Sequence, residues 1–496
     1  MHLKIIFRIL GSLLLLLAAV MLGCSVVSVI YGEHDFFAFV ASALIVTLVG
    51  LWLQYFGKGA HNKYSRRDGY VTIAASWIAF ALVGSLPYLL SGSVDGSFTN
   101  AFFESMSGFS TTGATILQNI ESQPHALLLW RSFSQWLGGL GIVFFTVAVL
   151  PMFGFSGVQL FAAEATGATK QKAHPRVAVS ARWILAVYVT LTVLCSLALA
   201  VCGMGGFESV CHGLTTIATG GFSTRQMSIE SFHSPTIEYV ITFFMFVAGI
   251  NYTLLYLFVL KGKIRKLFSN TEFRCYLGLV LGFTLFVTIG LLITGDPSVP
   301  EGAGWMTKAE TSFRHAIFQV IALQTTTGYT TTDYMLWAPF LWMIMSFVMY
   351  FGACGGSSSG AMKCSRLAIF AKSIHGEFLH ILHPNAVLPV RIDKQVISPS
   401  TRMTVLTFVC LYILLVFVSW LIFMVMGIGF TDAYGMAVGS IGNIGPALGN
   451  VGPSFTWFEV PTAAKWFSAA LMLVGRLELF SVLLMFSPEF WKTNAY

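Results

Sequence analysis

The amino-acid sequence predicts an all-α polytopic membrane protein in which one structural unit occurs four times around a single pore. Three observations lead to this prediction. Only 10% of the 496 residues are charged and 56% are hydrophobic, whereas soluble domains carry about 25% charged residues. Apolar stretches long enough to cross a bilayer recur along the chain, and shorter segments between them end in similar glycine motifs. This composition excludes a water-soluble enzyme and a disordered protein.

Ten apolar stretches have the length needed to cross the roughly 30 Å hydrocarbon core of a bilayer. They lie near residues 5–31, 36–57, 70–91, 127–152, 181–203, 236–260, 273–294, 336–353, 403–428 and 462–486. The first is expected to be a retained helix and not a cleaved signal peptide, because its apolar run continues to Ile30.

Basic residues are concentrated in alternate loops. Of the 28 Lys and Arg, 22 fall in the terminal segments or in the loops that contain Lys58, Lys170, Lys261 and Lys363. By the positive-inside rule, these loops and both termini are expected to be cytoplasmic. Acidic residues collect on the opposite side. They either attract cations to that face or simply occupy loops from which Lys and Arg are excluded.

Four segments of ten to fifteen residues are too short to cross, and each lies between two predicted spans on the outer side. They end in what we call repeat loops 1 to 4, which are residues 110–115, 217–222, 325–330 and 442–447. Their glycines at positions 113, 220, 328 and 445 are 107, 108 and 117 residues apart. A near-constant period of this kind is typical of a repeat architecture. In repeat loop 3, Thr326-Thr327-Gly328-Tyr329 differs at one position from the Thr-Val-Gly-Tyr filter of potassium channels.

Non-helical backbone survives at membrane depth only where protein covers it or where it lines a wet cavity, because unpaired peptide groups are costly in hydrocarbon. Four such loops can cover one another around an axis, where carbonyl oxygens would replace the water shell of a cation. Each preceding helix, such as residues 100–109 or 312–323, would point its partly negative C-terminal end at that axis. The candidate filter residues are Thr111, Thr112, Gly113, Ala218, Thr219, Gly220, Thr326, Thr327, Gly328, Asn443, Ile444 and Gly445.

Two features after repeat loop 3 predict a gate. Residues 352–360 contain four glycines and three serines, which favour a flexible loop on the cytoplasmic side of the filter, where it can obstruct the pore. Its candidate gating residues are Gly355, Gly356, Ser357, Ser358, Ser359 and Gly360. Arg476 interrupts the last span, where an unpartnered arginine costs at least about 2.5 kcal/mol. It is expected to face the axis and bond to carbonyl groups of this loop, or else to pair with Glu478 or with another helix.

Two further residues have less specific signals. Ser358 lies between Gly356 and Gly360 in a G-x-S-x-G pattern, so an intramembrane serine hydrolase is a remote alternative. That motif requires a strand before the serine, and an apolar helix stands there instead. Arg131, at the outer end of its span, is expected to extend its guanidinium toward water.

At this level of detail the chain resembles the bacterial Trk-type potassium uptake proteins (TrkH/TrkG) of the Trk/Ktr/HKT superfamily. The resemblance covers nearly the whole length. It is carried by Trp130-Arg131-Ser132, Gln135-Trp136-Leu137-Gly138-Gly139-Leu140-Gly141, Gln159-Leu160-Phe161-Ala162-Ala163-Glu164, residues 354–363, Gly475-Arg476-Leu477-Glu478 and the four repeat loops.

The resemblance implies two extra N-terminal helices (1–68) followed by four membrane-pore-membrane repeats at 69–170, 171–266, 267–396 and 397–496. It implies a homodimer in the bacterial inner membrane that takes up K⁺ and associates with a cytoplasmic nucleotide-binding regulatory subunit resembling TrkA. A gating role would apply to Gly355–Gly360 and Arg476. Because Gly113 is present where some sodium-preferring relatives have serine, potassium is expected. Symport of K⁺ with H⁺ or Na⁺ remains an alternative. The lipid bilayer is the expected surrounding, with no enzymatic activity, no organic cofactor and no nucleic-acid partner.

Overall fold

The computed structural model describes residues 2–59, 66–149, 177–259, 262, 264–300, 302–386, 388–393 and 395–492. Helices make up nearly all of its regular structure, which confirms the predicted helical class. Within the described residues, the exceptions are a hairpin of strands Arg391–Ile392 and Gln395–Val396 and an isolated bridge between Phe351 and Met362. The motif at residues 159–164 lies outside the described residues.

The N-terminal part is a helical hairpin, Leu3–Tyr31 and Phe36–Phe56. The two helices approach closely at Gly11 and Gly50, because a β-carbon on Gly11 would lie 2.6 Å from the carbonyl oxygen of Gly50. Small residues at such a crossing let two apolar helices pack backbone to backbone.

Four units of similar order follow this hairpin. Their first helices are Arg66–Gly84 with Leu86–Leu90, Val177–Val201, Thr271–Thr294 and Pro399–Val425. What we call pore helices 1 to 4 are Phe98–Phe109, Gly206–Ile217, Trp305–Gln324 and Phe430–Gly442. The second helices are His125–Val149, Pro235–Ala248 with Tyr252–Val259, Pro339–Val348, and Thr462–Arg476 with Phe480–Leu483. Ile264–Ser269, Cys364–Leu382 and Pro488–Trp491 are further helices of the described residues.

Helix starts follow from local sequence. The side chains of Ser97, Asn270 and Ser398 accept hydrogen bonds from the backbone N–H three residues later, which satisfies a donor that the first turn leaves unpaired. Pro235, Pro339 and Pro399 are the first residues of their helices, the last of them directly after the cap Ser398, and proline loses no hydrogen bond at this position.

The pore helices form the centre of the fold. Their final turns, residues 101–109, 211–217, 318–324 and 435–442, are buried on every side, as expected of helices that neighbouring protein surrounds completely. Glycines permit this packing. A β-carbon on Gly138 would overlap the carbonyl oxygen of Phe109, and one on Gly435 would lie 2.5 Å from the backbone nitrogen of Leu448.

The predicted set of ten continuous spans is wrong in detail. The described residues contain six helices that are long and apolar enough to cross a membrane, or up to eight if each bent pair is one span. The predicted spans 236–260 and 462–486 are pairs bent by 104° and 110°, and 336–353 contains a helix of ten residues. The predicted span 127–152 corresponds to His125–Val149, which is non-helical at Gly141 (φ 68°, ψ 140°), and its last three residues lie outside the described ranges.

Candidate functional site

The four repeat loops leave their pore helices through the same hydrogen-bonded turn. The N–H groups of Thr112, Gly220, Thr327 and Ile444 donate to carbonyl oxygens five residues earlier, with N···O distances of 2.9, 3.0, 2.8 and 3.0 Å. In each loop, the residue before this donor bonds to the carbonyl three residues earlier. A bond that spans six residues is a common helix ending. Four different sequences therefore end their helices in the same way.

The backbone dihedral angles define the register of the loops. Positive φ angles occur at Thr111, Thr219, Thr326 and Asn443, and again two residues later at Gly113, Gly221, Gly328 and Gly445. The glycine of repeat loop 2 that corresponds to the other three is therefore Gly221, so the predicted alignment of Gly220 with Gly113, Gly328 and Gly445 is wrong by one position, while Gly220 itself stays a candidate filter residue. Ala218 correspondingly occupies the helix end, like Ser110 and Thr325. Two adjacent glycines left this register ambiguous in the sequence, because either can adopt a positive φ.

The four loops contact one another in a closed ring. A β-carbon added to Gly113 would overlap the carbonyl oxygen of Gly220 in the next loop. The same relation joins Gly221 to Thr327, Gly328 to Ile444, and Gly445 to Thr112. In each case the glycine lies against a carbonyl oxygen of the following loop, and that oxygen belongs to the residue just before the corresponding glycine. Repeat loop 4 contacts repeat loop 1 in the same way. The ring is closed in chain order and in one register.

Two amide side chains, one from a neighbouring helix and one from repeat loop 4, hold the ring in place. Gln135 donates from Nε2 to the carbonyl oxygen of Gly220 (2.6 Å) and accepts from the N–H of Phe222 (3.0 Å). Asn443 donates from Nδ2 to the hydroxyl of Thr112 (3.1 Å) and to the carbonyl of Met472 (2.9 Å). The bond between Asn443 and Thr112 connects repeat loops 4 and 1, and the other bonds attach loops 2 and 4 to neighbouring helices.

The glycine–serine loop, which we define as residues 352–363, lies directly against this ring. The N–H of Gly360 donates to the hydroxyl of Thr326 (2.7 Å), and the hydroxyl of Ser358 donates to the carbonyl of Ile217 at the end of pore helix 2 (3.0 Å). A β-carbon on Gly360 would overlap the carbonyl of Gly442. The tip of the loop therefore packs under three of the four repeat loops.

The base of the glycine–serine loop is held by the second helix of repeat 2. Asn251 donates to the carbonyl of Gly355 (2.5 Å), and the N–H of Tyr252 donates to that of Gly356 (3.3 Å). Within the loop, the hydroxyl of Ser357 donates to the carbonyl oxygen of Cys354 (2.6 Å). It also lies 3.0 Å from the hydroxyl of Ser359.

Arg476 bonds to backbone carbonyl groups of two different repeats. Its Nη1 donates to the carbonyl of Ser358 (2.7 Å) and its Nη2 to that of Gly138 (2.5 Å). The partner expected in the glycine–serine loop is therefore present. The alternative partner, Glu478, forms an ion pair with Arg366.

Comparisons with known proteins identify the family of this chain. A family model described as "TrkH: Cation transport protein" matches residues 34–493. The chain belongs to the TrkH family. The Trk system potassium uptake protein TrkH of Escherichia coli K12 is 35% identical over 498 residues, covering 99% of this chain and all of that protein. TrkG of the same organism is 30% identical over 493 residues, 99% of each chain.

A solved structure has the same fold. The crystal structure of the potassium transporter TrkH from Vibrio parahaemolyticus matches 99% of this chain and all of that chain, with a TM-score of 0.88 at 29% identity. These matches confirm the predicted family and the predicted integral membrane fold. The TrkH family is one of transport proteins, which also confirms the prediction that the chain is not an enzyme.

The hydrolase alternative for this TrkH-family chain is wrong. The hydroxyl of Ser358 donates to the carbonyl of Ile217 and lies 3.3 Å from the hydroxyl of Tyr252. Neither group is a base that can accept its proton during nucleophilic attack. The serine instead fixes the position of the loop.

The expectation that Arg131 reaches water is also wrong. Its side chain is 1% exposed and forms an ion pair with the fully buried Glu104, with a distance of 2.9 Å between Nε and Oε1. It also donates to the carbonyl of Ser223 (3.0 Å) and the hydroxyl of Thr115 (3.2 Å), and its guanidinium lies 4.1 Å from the ring of Phe222. Arg131 therefore joins the outer ends of repeat loops 1 and 2. The sequence signal for this pair was Glu104 itself, a carboxylate within an otherwise uncharged pore helix.

The carboxylates of the predicted outer loops mostly have local partners. Glu208 pairs with Arg225 (2.7 Å), and Asp296 lies 2.8 Å from Nδ1 of His315. Burial opposes the ionisation of Asp296, but hydrogen bonds from His315 and from the N–H of Ser298 outweigh it and lower the pKa of this carboxyl. Burial raises the pKa of Glu230. These contacts favour a structural role for many of the outer acids over a general attraction of cations.

Proposed function

We propose that the protein carries K⁺ into the cell through the ring of four repeat loops. The observation that carries the proposal is the closure of the ring, in which four differently sequenced loops share one backbone conformation and one register. A ring of closely spaced backbone oxygens can replace the hydration shell of a cation. The relatives named above as potassium uptake proteins support potassium as that cation.

The residues proposed to surround the ion follow the corrected register. They are Thr111, Thr112, Gly113, Thr219, Gly220, Gly221, Thr326, Thr327, Gly328, Asn443, Ile444 and Gly445. K⁺ is the transported substrate. Pore helices 1 to 4 end at this ring, so their C-terminal dipoles would add partial negative charge to it.

We propose that Gly355–Gly360 and Arg476 form a gate. The loop packs against the ring through Ser358 and Gly360, and Arg476 holds it there. In this position the loop obstructs the path by its volume, and the guanidinium raises the local barrier for a cation. Opening would require Arg476 to release the carbonyl of Ser358.

The membrane potential is the proposed driving force. At 100 mV it supplies about 2.3 kcal/mol per monovalent ion, which corresponds to roughly a fiftyfold gradient. The alternative is symport with H⁺ or Na⁺. The two are distinguished by whether a pH or Na⁺ gradient alone, without a membrane potential, moves K⁺.

The remaining proposals concern location and partners. The distribution of Lys and Arg supports cytoplasmic termini in a bacterial inner membrane. A homodimer and a cytoplasmic nucleotide-binding regulatory subunit similar to TrkA are proposed from the family resemblance.

Ion flux into liposomes that contain the purified protein tests the proposed function. K⁺, Na⁺ and pH gradients are imposed separately, with protein-free liposomes as the control. Potassium flux that follows the membrane potential and exceeds sodium flux is expected. Equal rates for K⁺ and Na⁺, or no ion flux under any gradient even after the glycine–serine loop is removed, would contradict the proposal.

A further inference from the structure

Glu272 lies at the start of Thr271–Thr294, which is the first helix of repeat 3, and its side chain reaches the glycine–serine loop. It is 9% exposed. A single oxygen, Oε1, accepts hydrogen bonds from the N–H of Gly355 (2.5 Å) and from that of Ser365 (3.1 Å). These two donors stand at the beginning of the loop and just beyond its end. One carboxylate therefore closes the base of the loop.

The chemistry of both donors suits an anion. Ser365 is in the first turn of Cys364–Leu382, where N–H groups lack helical partners, and the preceding Lys363 provides no side-chain cap. Glu272 supplies the missing acceptor from a different helix, and its negative charge is favoured at a helix N-terminus. Hydrogen bonds to a charged acceptor are stronger than those between neutral groups.

The position of Glu272 is itself fixed from the segment that follows the loop. Asp393, in the turn of the hairpin Arg391–Val396, accepts from the N–H of Thr271 (2.7 Å) and from Nδ2 of Asn270 (3.0 Å). The chain thus runs from the glycine–serine loop through helix Cys364–Leu382 to this hairpin, and the hairpin returns to the helix end that carries Glu272.

We propose that Glu272 is a latch that keeps the glycine–serine loop against the repeat-loop ring, and that Asp393 positions this latch from the hairpin. The inference rests on the proposed gate. Displacement of the loop would pull Gly355 or Ser365 away from the shared oxygen, so the closed arrangement is stabilised by both bonds. A force on the hairpin would move the start of helix Thr271–Thr294, and with it the carboxylate of Glu272 that accepts both bonds. Glu272 is a positioning residue and does not itself contact the path of the ion.

Potassium flux into liposomes without any regulatory subunit tests the latch. Glu272→Ala removes the acceptor, and basal flux is expected to rise about tenfold or more, the factor given by losing a hydrogen bond to a charged group. Glu272→Gln keeps an oxygen acceptor without the charge, and a smaller rise is expected. The ratio of K⁺ to Na⁺ flux should stay at the wild-type value, because the ring is untouched. A general loss of structure would lower both this ratio and the yield of folded protein.

Two controls make the result specific. Glu238→Ala removes a similarly buried carboxylate that pairs with Arg314, and it should not raise flux. In a chain that lacks Gly355–Gly360, Glu272→Ala should cause no further rise in basal K⁺ flux, because the latch has no loop to hold. If Glu272→Ala does not fold, Glu272→Asp carries the same expectation, because its shorter side chain cannot reach both donors.

The outcomes separate the latch from the proposed function. Wild-type basal flux in a folded Glu272→Ala protein, together with raised flux on deletion of Gly355–Gly360, overturns the latch alone. An additional increase from Glu272→Ala in the deleted chain also overturns it. If neither the wild type nor the deleted chain passes K⁺, the proposed function fails instead.

Discussion

Replacement of Gly221 by alanine tests the ring most directly, because the structure and the sequence pattern assign the critical glycine of repeat loop 2 differently. Gly221 has φ +79°, and a β-carbon there would overlap the backbone carbonyl of Thr327. The left-handed backbone costs about 1–2 kcal/mol for a residue other than glycine, and forced overlap in a packed interior about 1–3 kcal/mol more. The sum, about 2–5 kcal/mol, would reduce the population of intact ring by at least roughly thirtyfold.

Gly220→Ala is the matched comparison. Gly220 is outside the left-handed region, and the three atoms nearest to its β-carbon would all belong to the side chain of Gln135. That side chain can move at the cost of its hydrogen bonds, each worth about 1 kcal/mol. Gly282→Ala serves as a neutral control, because no atom of the described residues lies within 4 Å of its β-carbon position.

The assay is K⁺ and Na⁺ flux in liposomes, with thermal unfolding of the purified proteins measured in parallel. Gly221→Ala should lose most K⁺ flux or most discrimination against Na⁺, whereas Gly220→Ala should retain more of both. If Gly220→Ala is the more damaging substitution, or if Gly221→Ala matches Gly282→Ala, the register of the ring is refuted.

Three further experiments test other parts of the site. Gly113→Ser should lower K⁺ over Na⁺ discrimination, since a side chain there would overlap the next loop; an unchanged flux ratio would count against the filter. Deletion of Gly355–Gly360, or Arg476→Gln, should raise basal K⁺ flux because the loop loses its volume or its carbonyl contact, and a silent protein would contradict the gate. Arg131→Met should destabilise the protein by about 3–5 kcal/mol by leaving Glu104 buried without its partner, and a melting temperature equal to wild type would refute this. Adding Glu104→Gln to Arg131→Met should restore part of the loss.

The membrane class was predictable because it depends on composition, and the four short helices before the glycine motifs were predictable because the spacing of those motifs is visible in the sequence. The break in repeat 3 was predictable for the same reason, since Gly355–Gly360 cannot sustain a helix. The bends in repeats 2 and 4 were not, because they depend on tertiary contacts. Asn251 caps the second half of its helix by accepting from the N–H of Thr253 (2.8 Å) while it also bonds to Gly355. In repeat 4, Glu478 and Leu479 adopt positive φ angles without any glycine.

Arg131 illustrates a different limit. A span-end arginine beside an outer loop resembles one that extends to water, and its partner Glu104 is 27 residues away in the sequence. Only the packing of pore helix 1 against the second helix of repeat 1 brings the two together. Hydropathy describes each segment alone, so it cannot identify a charge pair that folding creates between segments.

The interruptions of the second helices bear on how one loop is held from several repeats. Gly138, Asn251 and Arg476 lie beside the interruptions of repeats 1, 2 and 4. Asn251 and Arg476 bond directly to the glycine–serine loop of repeat 3, and Gly138 accepts from Arg476. Asn251 and Arg476 make these contacts through their side chains, which the bends of repeats 2 and 4 place beside the loop. In the proposed gate, release of the loop would therefore break contacts with repeats 2 and 4 together, which predicts that opening involves both of these repeats and not the loop alone.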